Sequence, residues 1–405
     1  MLDLPQVTYL SVIGNKTDKQ YSDVDSILKI GQKTSKHINF GKKVIYTIEE
    51  PTIDPQDFEI KIIDGFKYED FTDFVLTNYG EMFDTEFMIN FHSDGFIRNP
   101  LNWQDEFLNY DFIGAPMCWK HHFILNGNGG FSLRSKKLCD LVKSLYIKNK
   151  ESCNLQKHNE DLLISVLFKD TLNKMGCQFA PLDLCSKFST EHHPPNFDHI
   201  PKVYMTPDKN LKNLLVEIVE DPEYYLHSGF FNSFGMHEIE KLLVPQCAFQ
   251  RKKLYNYIFN DFEITEMTID DVEFFNEVRN ECREMLHDTT EFTLEESIKW
   301  FKETKPNFYI VKSGKQKIGY FRTSIENGLF FVGMDIHKNY RGSGLAFYLY
   351  LDFFEKIKNK TDKVNLLVKK KNTVAYNLYK KLGFIEKDEP LINIDKESFF
   401  MYKQL

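Results

Sequence analysis

Short runs of apolar, β-branched and aromatic residues alternate with longer segments of helical spacing along the first part of the chain. Residues 7–13, 44–48 and 86–91 have the pattern of buried strands. Residues 161–168 have helical spacing and follow polar Asn159-Glu160, which is typical of a helix start. This alternation predicts an α/β sheet in the N-terminal part of the chain.

A different order of elements follows residue 262. The pattern predicts strands at 262–267, 308–311, 317–323, 329–336 and 364–368, and helices within 269–286, 294–302, 344–358 and 373–382. Turn signals at Ser313-Gly314 and Asn327-Gly328 separate the three central strands into a meander. Between the two parts the periodicity becomes irregular around Pro245. We therefore predict two α/β domains, 1–248 and 262–405, joined by a connector at 249–261.

Composition and charge narrow the class of protein. A chain of 405 residues that is 42% hydrophobic and 27% charged has enough apolar mass for two cores. The net charge of −8 gives no sequence-wide positive field, which disfavours general nucleic-acid binding. The start of the chain lacks the pattern of a signal peptide, and no apolar run is long enough to span a bilayer, so we expect a cytoplasmic protein. The seven cysteines include no close Cys-x-x-Cys pair, as expected for reduced thiols.

A glycine-containing loop, Arg341-Gly342-Ser343-Gly344-Leu345-Ala346, lies between a predicted strand and a predicted helix. Glycines let the main chain approach a ligand, and the N–H groups of a first helical turn point at anionic oxygen. The loop therefore indicates a phosphate or pyrophosphate site, with an ordinary glycine turn as the alternative. It lacks the P-loop lysine and the dinucleotide spacing, which disfavours nucleoside triphosphate hydrolysis and hydride transfer.

A second motif follows at helical spacing. Asn372 lies at the start of a predicted helix, Ala375 and Tyr379 fall on one face, and Gly383-Phe384 follow the end. Together with the loop at 341–346, this pattern resembles the GNAT N-acetyltransferase superfamily over residues 262–405. The resemblance implies an α/β domain with a mixed, mostly antiparallel sheet, and acetyl-CoA as cofactor.

The resemblance also implies roles for individual residues. The loop from Arg341 to Ala346 would hold the pyrophosphate of acetyl-CoA, and Asn372 would contact the pantetheine or the loop around it. Tyr379 would give a proton to the departing CoA thiolate, which needs an acid within hydrogen-bond reach.

Direct transfer also needs a base that makes the acceptor amine neutral. Asp335, at the end of the strand before the loop, is our candidate base, acting directly or through water, and His337 is the alternative. Either residue could instead cap the loop. The backbone N–H groups of Gly333 and its neighbours would polarise the thioester carbonyl, as a splayed strand does in the family.

The acceptor pocket is expected in the first helices of this domain. Arg279-Asn280 followed by Trp300-Phe301 resembles the GNAT members that acetylate nucleotide-linked amino sugars, in which an Arg-Asn pair precedes a Trp-Phe. This layout favours an amino sugar, such as an amino-dideoxyhexose, as acceptor. The alternative for Trp300 is a core position on an apolar helical face.

In the N-terminal domain a buried strand ends in His92-Ser93-Asp94-Gly95. His92 and Asp94 are at i and i+2, so both side chains lie on one side of the chain at the carboxyl edge of a sheet. Asp94 could hold Mn²⁺ or Mg²⁺, and the cation would neutralise the pyrophosphate of a departing nucleoside diphosphate. A surface turn is the alternative.

Further motifs extend this pattern. Three glycines lie within four residues around Asn128-Gly129-Gly130, which suggests a main chain passing close to a ligand, and Glu160-Asp161 lies at a helix start. With a Phe-Ile-Gly-Ala-Pro element at 112–116, these motifs resemble a family of GT-A-type, Rossmann-like glycosyltransferase domains over residues 7–237.

This second resemblance implies a metal-dependent sugar transfer. His92 and Asp94 would take the place of an Asp-x-Asp metal motif, with His in the first position, and His237 would complete the metal shell. Asp161 or Glu160 would take a proton from the acceptor hydroxyl, with capping of the helix as the alternative.

The two resemblances together predict a bifunctional enzyme without a membrane span. It would acetylate an amino sugar on a nucleotide and transfer a sugar from a nucleotide donor to a glycan or other hydroxyl acceptor. The alternative is a protein or polyamine N-acetyltransferase with a non-catalytic, glycan-binding N-terminal domain.

Overall fold

The computed structural model describes residues 1–14, 23–67, 70–119, 123–153, 159–190, 233–237, 257–258, 260–342, 344–387 and 397–405. The chain forms two compact units, Met1–Arg251 and Lys252–Leu405. Most of the predicted connector at 249–261 lies outside the described residues, and its bounds stay a prediction. Searching the described helices for one of sufficient length and apolarity to cross a membrane finds none.

The first unit is built on a sheet with the strand order β3-β2-β1-β4-β9-β6 among its described residues. Strands β1 to β4 are parallel, whereas β9 is antiparallel to both of its neighbours. A small sheet, β10-β11-β5, and the hairpin β7-β8 complete it. The strands are β1 (Leu2–Ile13), β2 (Ile38–Thr47), β3 (Glu59–Ile62), β4 (Phe87–Asn90), β5 (Gly95–Ile97), β6 (Phe112–Gly114), β7 (Pro116–Trp119), β8 (Phe123–Asn126), β9 (Ser132–Ser135), β10 (Ser189–Thr190) and β11 (Gly235–His237).

Both faces of this sheet are buried. Successive residues of β1 point to opposite faces, so Val7 and Tyr9 join one apolar cluster while Leu10 and Val12 join the other. The helices are α1 (Val24–Ser35), α2 (Phe71–Met82), α3 (Lys136–Cys153), α4 (Glu160–Leu162), α5 (Lys169–Lys174) and α6 (Leu182–Phe188), with short 3₁₀ turns at Pro100–Asn102 and Asp105–Asn109.

The helix predicted at 161–168 is only partly correct. The α-helical part, α4, ends at Leu162, and Leu163–Leu167 forms a π-helical turn closed by a hydrogen bond from Phe168 N to the Leu163 carbonyl. Within this wider turn, Ser165 packs against Gly127, where a Cβ atom would lie 1.9 Å from the Ser165 hydroxyl. Helical spacing in the sequence does not distinguish a π turn from an α turn over so short a segment.

The second unit contains a sheet with the described order β12-β13-β14-β15-β16-β18-β17. All neighbouring pairs are antiparallel except β15 and β16, which confirms the predicted mixed, mostly antiparallel α/β domain. The strands are β12 (Glu263–Glu266), β13 (Tyr309–Ser313), β14 (Gln316–Glu326), β15 (Leu329–Ile336), β16 (Lys363–Lys369), β17 (Ile385–Glu386) and β18 (Ser398–Gln404). The helices are α7 (Val272–Cys282), α8 (Leu294–Thr304), α9 (Leu345–Ile357) and α10 (Thr373–Lys381), with 3₁₀ turns at Ile269–Asp271, Arg283–Met285 and Lys338–Tyr340.

Alternation along β14 places helices on both faces of this sheet. Tyr320 packs against Phe275 of α7, with ring centroids 4.9 Å apart, whereas Phe321 stacks on Phe353 of α9 at 4.0 Å. The predicted turn between β14 and β15 is confirmed, because Asn327 and Gly328 both have positive φ, as a tight hairpin turn requires.

Candidate functional site

A cavity of about 1150 Å³ lies in the second unit. It is lined by parts of α7, α8, β14, β15, the loop after β15, and α10. Its lining brings together seven residues that the sequence predicts as site residues: Arg279, Trp300, Asp335, Arg341, Gly342, Asn372 and Tyr379. Residues from both GNAT-like motifs therefore meet at one site.

Strands β15 and β16 diverge at this cavity. Their register contains one pair in the part of the chain that the structure describes, Phe331 with Asn365, and Asn365 Nδ2 donates to the Phe330 carbonyl at 3.0 Å. On its other edge β15 stays paired with β14 through Ile336. Hydrogen-bonded pairs alternate along an antiparallel ladder, and His337 N bonds the Ile318 carbonyl in this register, so Gly333 bonds Arg322 of β14 while the backbone N–H of Met334 faces the gap. Met334 N–H, a neighbour of Gly333, is therefore the donor positioned to polarise a thioester carbonyl.

The glycine loop ends at the start of α9. Gly342 and Gly344 have φ of +69° and +77°, a conformation that side-chain-bearing residues rarely adopt. Gly344 directly precedes α9, so the loop ends at the N-terminus of a 13-residue helix, the end that favours an anion. The Leu345 side chain is buried in the core, and only its main chain can contact a cofactor. Ser343 lies outside the described residues.

Arg341 is held on the α7 side of the cavity. Its guanidinium donates to the Ile336 carbonyl at 2.7 Å, to Glu281 at 3.2 Å and to the Cys282 sulfur at 3.2 Å. Contact of Arg341 with a pyrophosphate stays a prediction. Burial, reinforced by nearby Asp335, raises the pKa of the Cys282 thiol to about 11. Cys282 is therefore a neutral thiol and a poor nucleophile at neutral pH.

Tyr379 and Asn372 lie on α10. Tyr379 is buried, and its hydroxyl is 3.5 Å from that of Tyr350. Burial raises the pKa of Tyr379, with opposing contributions from Tyr350 and Arg322, so the phenol keeps its proton at neutral pH. The Asn372 side chain accepts from Ala375 N at 3.1 Å and caps α10, a role that the sequence analysis did not assign to it.

The candidate base, Asp335, has a charged partner that the sequence did not indicate. Its Oδ2 lies 3.0 Å from Arg322 Nε, although neither atom has a well-directed hydrogen bond. The alternative base, His337, is outside the cavity lining. Its Nε2 faces Glu277 at 3.3 Å, and its Nδ1 accepts from Asn339 N at 3.3 Å. The geometry thus favours Asp335 over His337.

The predicted acceptor residues Arg279 and Asn280 anchor a loop. Arg279 is paired with Asp288 at 3.0 Å and lies over the Phe292 ring, with the guanidinium carbon 4.3 Å from the ring centroid. Asn280 bonds both backbone groups of Phe292, donating at 2.8 Å and accepting at 3.1 Å. Both residues therefore shape the cavity wall, and their contact with an acceptor stays a prediction.

Trp300 has both of the roles considered from the sequence. It stacks on Phe275 with ring centroids 5.3 Å apart, as a core residue does, and it also lines the cavity. The Trp300 ring therefore gives the cavity an apolar wall.

In the first unit, His92, Asp94 and His237 form a cluster. One potential ligand atom from each lies within 4.8 Å of the others. His92 and Asp94 follow β4, and β11 brings His237 opposite Gly95 of β5. Burial lowers the pKa of His92, partly offset by Asp94, which favours the neutral imidazole that a metal binds. The cluster lies where the sheet order reverses between β1 and β4, the place where open α/β sheets bind ligands.

The glycine loop of this unit is explained by contacts within the chain. A Cβ atom at Gly129 would lie 2.0 Å from Glu160 Oε1, and one at Gly130 would lie 1.9 Å from His237 Nε2. Asn128 Oδ1 accepts from Gly130 N at 2.8 Å and fixes the turn. The loop thus separates the histidine cluster from Glu160, and its contact with a ligand stays a prediction.

The two candidate carboxylates of the first unit differ in their partners. Glu160 forms a buried ion pair with Arg134 at 3.1 Å, and its role as a base stays a prediction. Asp161 accepts from Gly129 N at 3.3 Å and from Leu162 N at 2.7 Å. Asp161 therefore binds backbone N–H groups near the start of α4, which agrees with the capping role considered as the alternative.

Comparison with known proteins gives a different family for each unit. Residues 272–384 match the model of the acetyltransferase (GNAT) family, and residues 66–202 match a family described as a protein of unknown function (DUF5672). No curated protein matches the chain. The C-terminal unit thus contains a GNAT-type domain, as predicted, whereas the GT-A assignment of the N-terminal unit stays a prediction.

Several solved acetyltransferase structures are similar to about a third of this chain. The structure of yncA from Salmonella typhimurium with its cofactor acetyl-CoA is 14% identical, covers 36% of this chain and 94% of its own, and has a TM-score of 0.31. A ribosomal-protein-alanine N-acetyltransferase from Brucella melitensis is 17% identical, with coverages of 35% and 99% and a TM-score of 0.30. A spermidine N-acetyltransferase from Vibrio cholerae is 19% identical, with coverages of 35% and 93% and a TM-score of 0.31.

Proposed function

We propose that the C-terminal unit transfers the acetyl group of acetyl-CoA to a primary amine. The observation that carries this proposal is the meeting of three features at one cavity: the glycine loop before α9, the diverging edge of β15, and the protonated phenol of Tyr379. They correspond to pyrophosphate binding, activation of the thioester carbonyl and protonation of the leaving thiolate.

The amine attacks the thioester carbon directly. Its nitrogen forms a bond to that carbon, its proton passes to Asp335 or to water, and the C–S bond breaks as the thiolate takes a proton from Tyr379. An acetyl-cysteine intermediate is disfavoured, because Cys282 in the cavity lining is a neutral thiol with a pKa of about 11.

The finer proposal is that the acceptor is an amino sugar carried on a nucleotide. It rests on the order of Arg279-Asn280 and Trp300 in the sequence, and it is supported by the half-buried Trp300 ring beside the cavity, against which the apolar face of a sugar ring can pack.

A panel of amines tests both the general proposal of amine acetylation and the finer proposal of a nucleotide-linked amino sugar as acceptor. The full chain is incubated with acetyl-CoA and nucleotide-linked amino sugars, free amino sugars, spermidine or lysine peptides, and products are identified by mass spectrometry. Acetylation of the nucleotide-linked sugars alone supports the finer proposal. Preference for spermidine or peptides refutes it and leaves the N-acetyltransferase, whereas no acetylated amine in the whole panel counts against both.

For the N-terminal unit we propose transfer of a sugar from a nucleotide donor to a glycan or other hydroxyl acceptor. The observation that favours it is the cluster of His92, Asp94 and His237 at the point where the sheet order reverses. These side chains would hold the cation, which supplies charge neutralisation at the donor pyrophosphate. Two imidazoles and one carboxylate suit Mn²⁺ better than Mg²⁺, which prefers oxygen ligands. Asp161 is the preferred candidate base and Glu160, which is paired with Arg134, is the second.

Release of nucleoside diphosphate from a panel of nucleotide sugars, with and without chelator, tests this second function. Release that needs Mn²⁺ and a hydroxyl acceptor supports glycosyl transfer. Glycan binding without release supports the alternative, a non-catalytic glycan-binding domain. If both activities are found, acetylation before transfer is the order that the fusion suggests.

A further inference from the structure

We infer that Arg322 is a further catalytic residue of the acetyl-transfer site, and that its guanidinium stabilises the negative charge that develops on the thioester oxygen. This inference rests on the acetyltransferase function proposed above. Neither of the two GNAT-like motifs includes Arg322.

Arg322 occupies an unusual position for a charged residue. It lies on β14 two residues after Tyr320, so the two side chains point to the same face of the sheet, toward α7. Tyr320 is fully buried there, whereas the Arg322 side chain is 38% exposed and lines the cavity. Pairing with Asp335 offsets part of the cost of dehydrating this guanidinium, and its exposed part faces the cavity.

The guanidinium lies against the strand that activates the carbonyl. Arg322 is paired with Gly333 across β14 and β15, and a Cβ atom at Gly333 would lie 2.9 Å from Arg322 Nη2 and 3.3 Å from its Cζ. Gly333 is two residues beyond Phe331, the position at which β15 and β16 are still paired. The absence of a side chain at Gly333 thus brings a positive charge within one residue of Met334, whose backbone N–H faces the gap.

Several polar atoms around Arg322 lack well-directed hydrogen bonds. Arg322 Nε and Asp335 Oδ2 are 3.0 Å apart but poorly aligned, and the buried Tyr320 hydroxyl lies beside Asp335 without a well-directed hydrogen bond within the described residues. Buried polar atoms are nearly always bonded, so this group is consistent with a site that a polar substrate completes. Burial alone would lower the pKa of Arg322, but Asp335 outweighs it and raises the pKa, so the guanidinium stays charged.

This geometry assigns Arg322 an electrostatic role without proton transfer. Attack of the amine forms the C–N bond and places negative charge on the thioester oxygen. Collapse breaks the C–S bond, Tyr379 protonates the thiolate, and the amine proton leaves to Asp335 or water. Arg322 neither gives nor takes a proton in these steps, and its charge and its N–H groups act on the oxyanion.

The test uses the full chain with isotope-labelled acetyl-CoA and reads the thioester carbonyl stretch by infrared spectroscopy. In the parent, a polarised carbonyl absorbs at lower frequency when bound than in water. In Arg322→Gln the stretch should return toward the solution value, while affinity for CoA changes by no more than about threefold. Lys299→Gln, which removes an exposed charge from α8, is the matched control and should leave the stretch unchanged.

Turnover gives the second readout. With any amine that the parent acetylates, Arg322→Gln should lower kcat by about 10²-fold or more, the scale for loss of an oxyanion donor, with little change in KM for acetyl-CoA. Arg322→Lys keeps the charge and should recover part of kcat. Gly333→Ala should also lower kcat, because its methyl group displaces the guanidinium without removing it.

An unchanged carbonyl stretch in folded Arg322→Gln would overturn the inference, as would a kcat within a few-fold of the parent. If Arg322→Gln does not fold, the carbonyl stretch and kcat of Gly333→Ala and Arg322→Lys test the role of Arg322 instead. If the parent binds acetyl-CoA but acetylates no amine, the proposed function fails, and the carbonyl stretch still decides the role of Arg322.

Discussion

A phenol can act as an acid only while it carries its proton, and it is useful to a leaving group only at short range. The burial that raises the pKa of Tyr379 keeps the phenol neutral at neutral pH, and its position on α10 brings it to the cavity. Its neighbour Tyr350 is also buried and lies 3.5 Å away, so a second phenol lies beside the first. The proton donor is thus held by packing on both sides.

Tyr379→Phe removes this proton donor and little else. We expect affinity for CoA to stay nearly unchanged and kcat to fall by about 10²-fold, because the ring still packs while the thiolate loses its acid. Calorimetry with CoA and steady-state kinetics measure the two quantities. Tyr350→Phe is the control, and a much smaller loss of kcat is expected for it. Turnover of Tyr379→Phe close to that of the parent would remove Tyr379 from the mechanism.

Among individual residues, the sequence predicts candidates that belong to motifs with regular spacing. It does not predict residues whose place in the site depends on contacts between distant segments. Tyr379 and Asn372 could be found because helical spacing relates them. Arg322 could not, since a charged residue in a strand has no spacing that indicates a site, and only its pairing with Gly333 reveals it. The ion pair of Glu160 with Arg134 joins residues 26 positions apart in sequence, which no local pattern indicates.

The buried ion pair of Arg134 with Glu160 connects several elements of the first unit. Arg134 is 1% exposed, lies over the Tyr79 ring with its guanidinium carbon 5.2 Å from the centroid, and bonds Glu160, which in turn contacts Gly129 closely. This arrangement connects β9, α4 and the glycine loop. Removal of the negative partner would leave the Arg134 charge buried and uncompensated.

Glu160→Gln should therefore lower the free energy of unfolding of the full chain by about 3 kcal/mol or more. Denaturant unfolding followed by a probe in the first unit measures this change. Glu151→Gln, at an exposed position of α3, is the control and should stay within about 0.5 kcal/mol of the parent. A stable Glu160→Gln protein that has lost sugar transfer would contradict the structural role and support Glu160 as the base.

Elements that depend on local spacing were predicted well, and pairings between distant segments were not. Strand β15 has the predicted bounds, and α9 lies within the predicted 344–358, because apolar periodicity and turn residues define both. The divergence of β15 from β16 and the strand orders of both sheets depend on contacts far apart in sequence. The same holds for β11, whose pairing with β5 brings His237 to Asp94.

The start of α9 provides a test at the scale of an element. Gly344→Asp places a carboxylate where the pyrophosphate is expected, at a repulsive cost of about 4 kcal/mol for charges some 4 Å apart near a surface, and should abolish CoA binding. Gly344→Asn is the matched control, because it has the same shape and the same strain at positive φ without the charge. Calorimetry should give at least about tenfold weaker binding for Asp than for Asn. Equal affinities would refute the assignment of the loop to the pyrophosphate.

At the scale of the whole molecule, each unit has its own core. The clusters around Tyr9 and Leu10 belong to the first unit, and the cluster around Phe321 belongs to the second. Each unit also contains a complete set of candidate groups: a histidine and carboxylate cluster in the first, and a cavity with loop, strand gap and phenol in the second. Neither proposed reaction uses a residue of the other unit.

Substitutions should therefore act on one activity at a time in the full chain. Asp94→Asn should weaken binding of nucleotide sugar in the presence of Mn²⁺, because it removes a cation ligand, whereas Asp161→Asn should bind donor normally and stall at transfer, because an amide accepts no proton. Both should leave acetyl transfer within about twofold of the parent, and Tyr379→Phe should leave sugar transfer equally unaffected. Acetyl transfer that falls with Asp94→Asn would contradict independent sites. Donor binding that is indifferent both to chelator and to Asp94→Asn would favour the non-catalytic, glycan-binding alternative for the first unit.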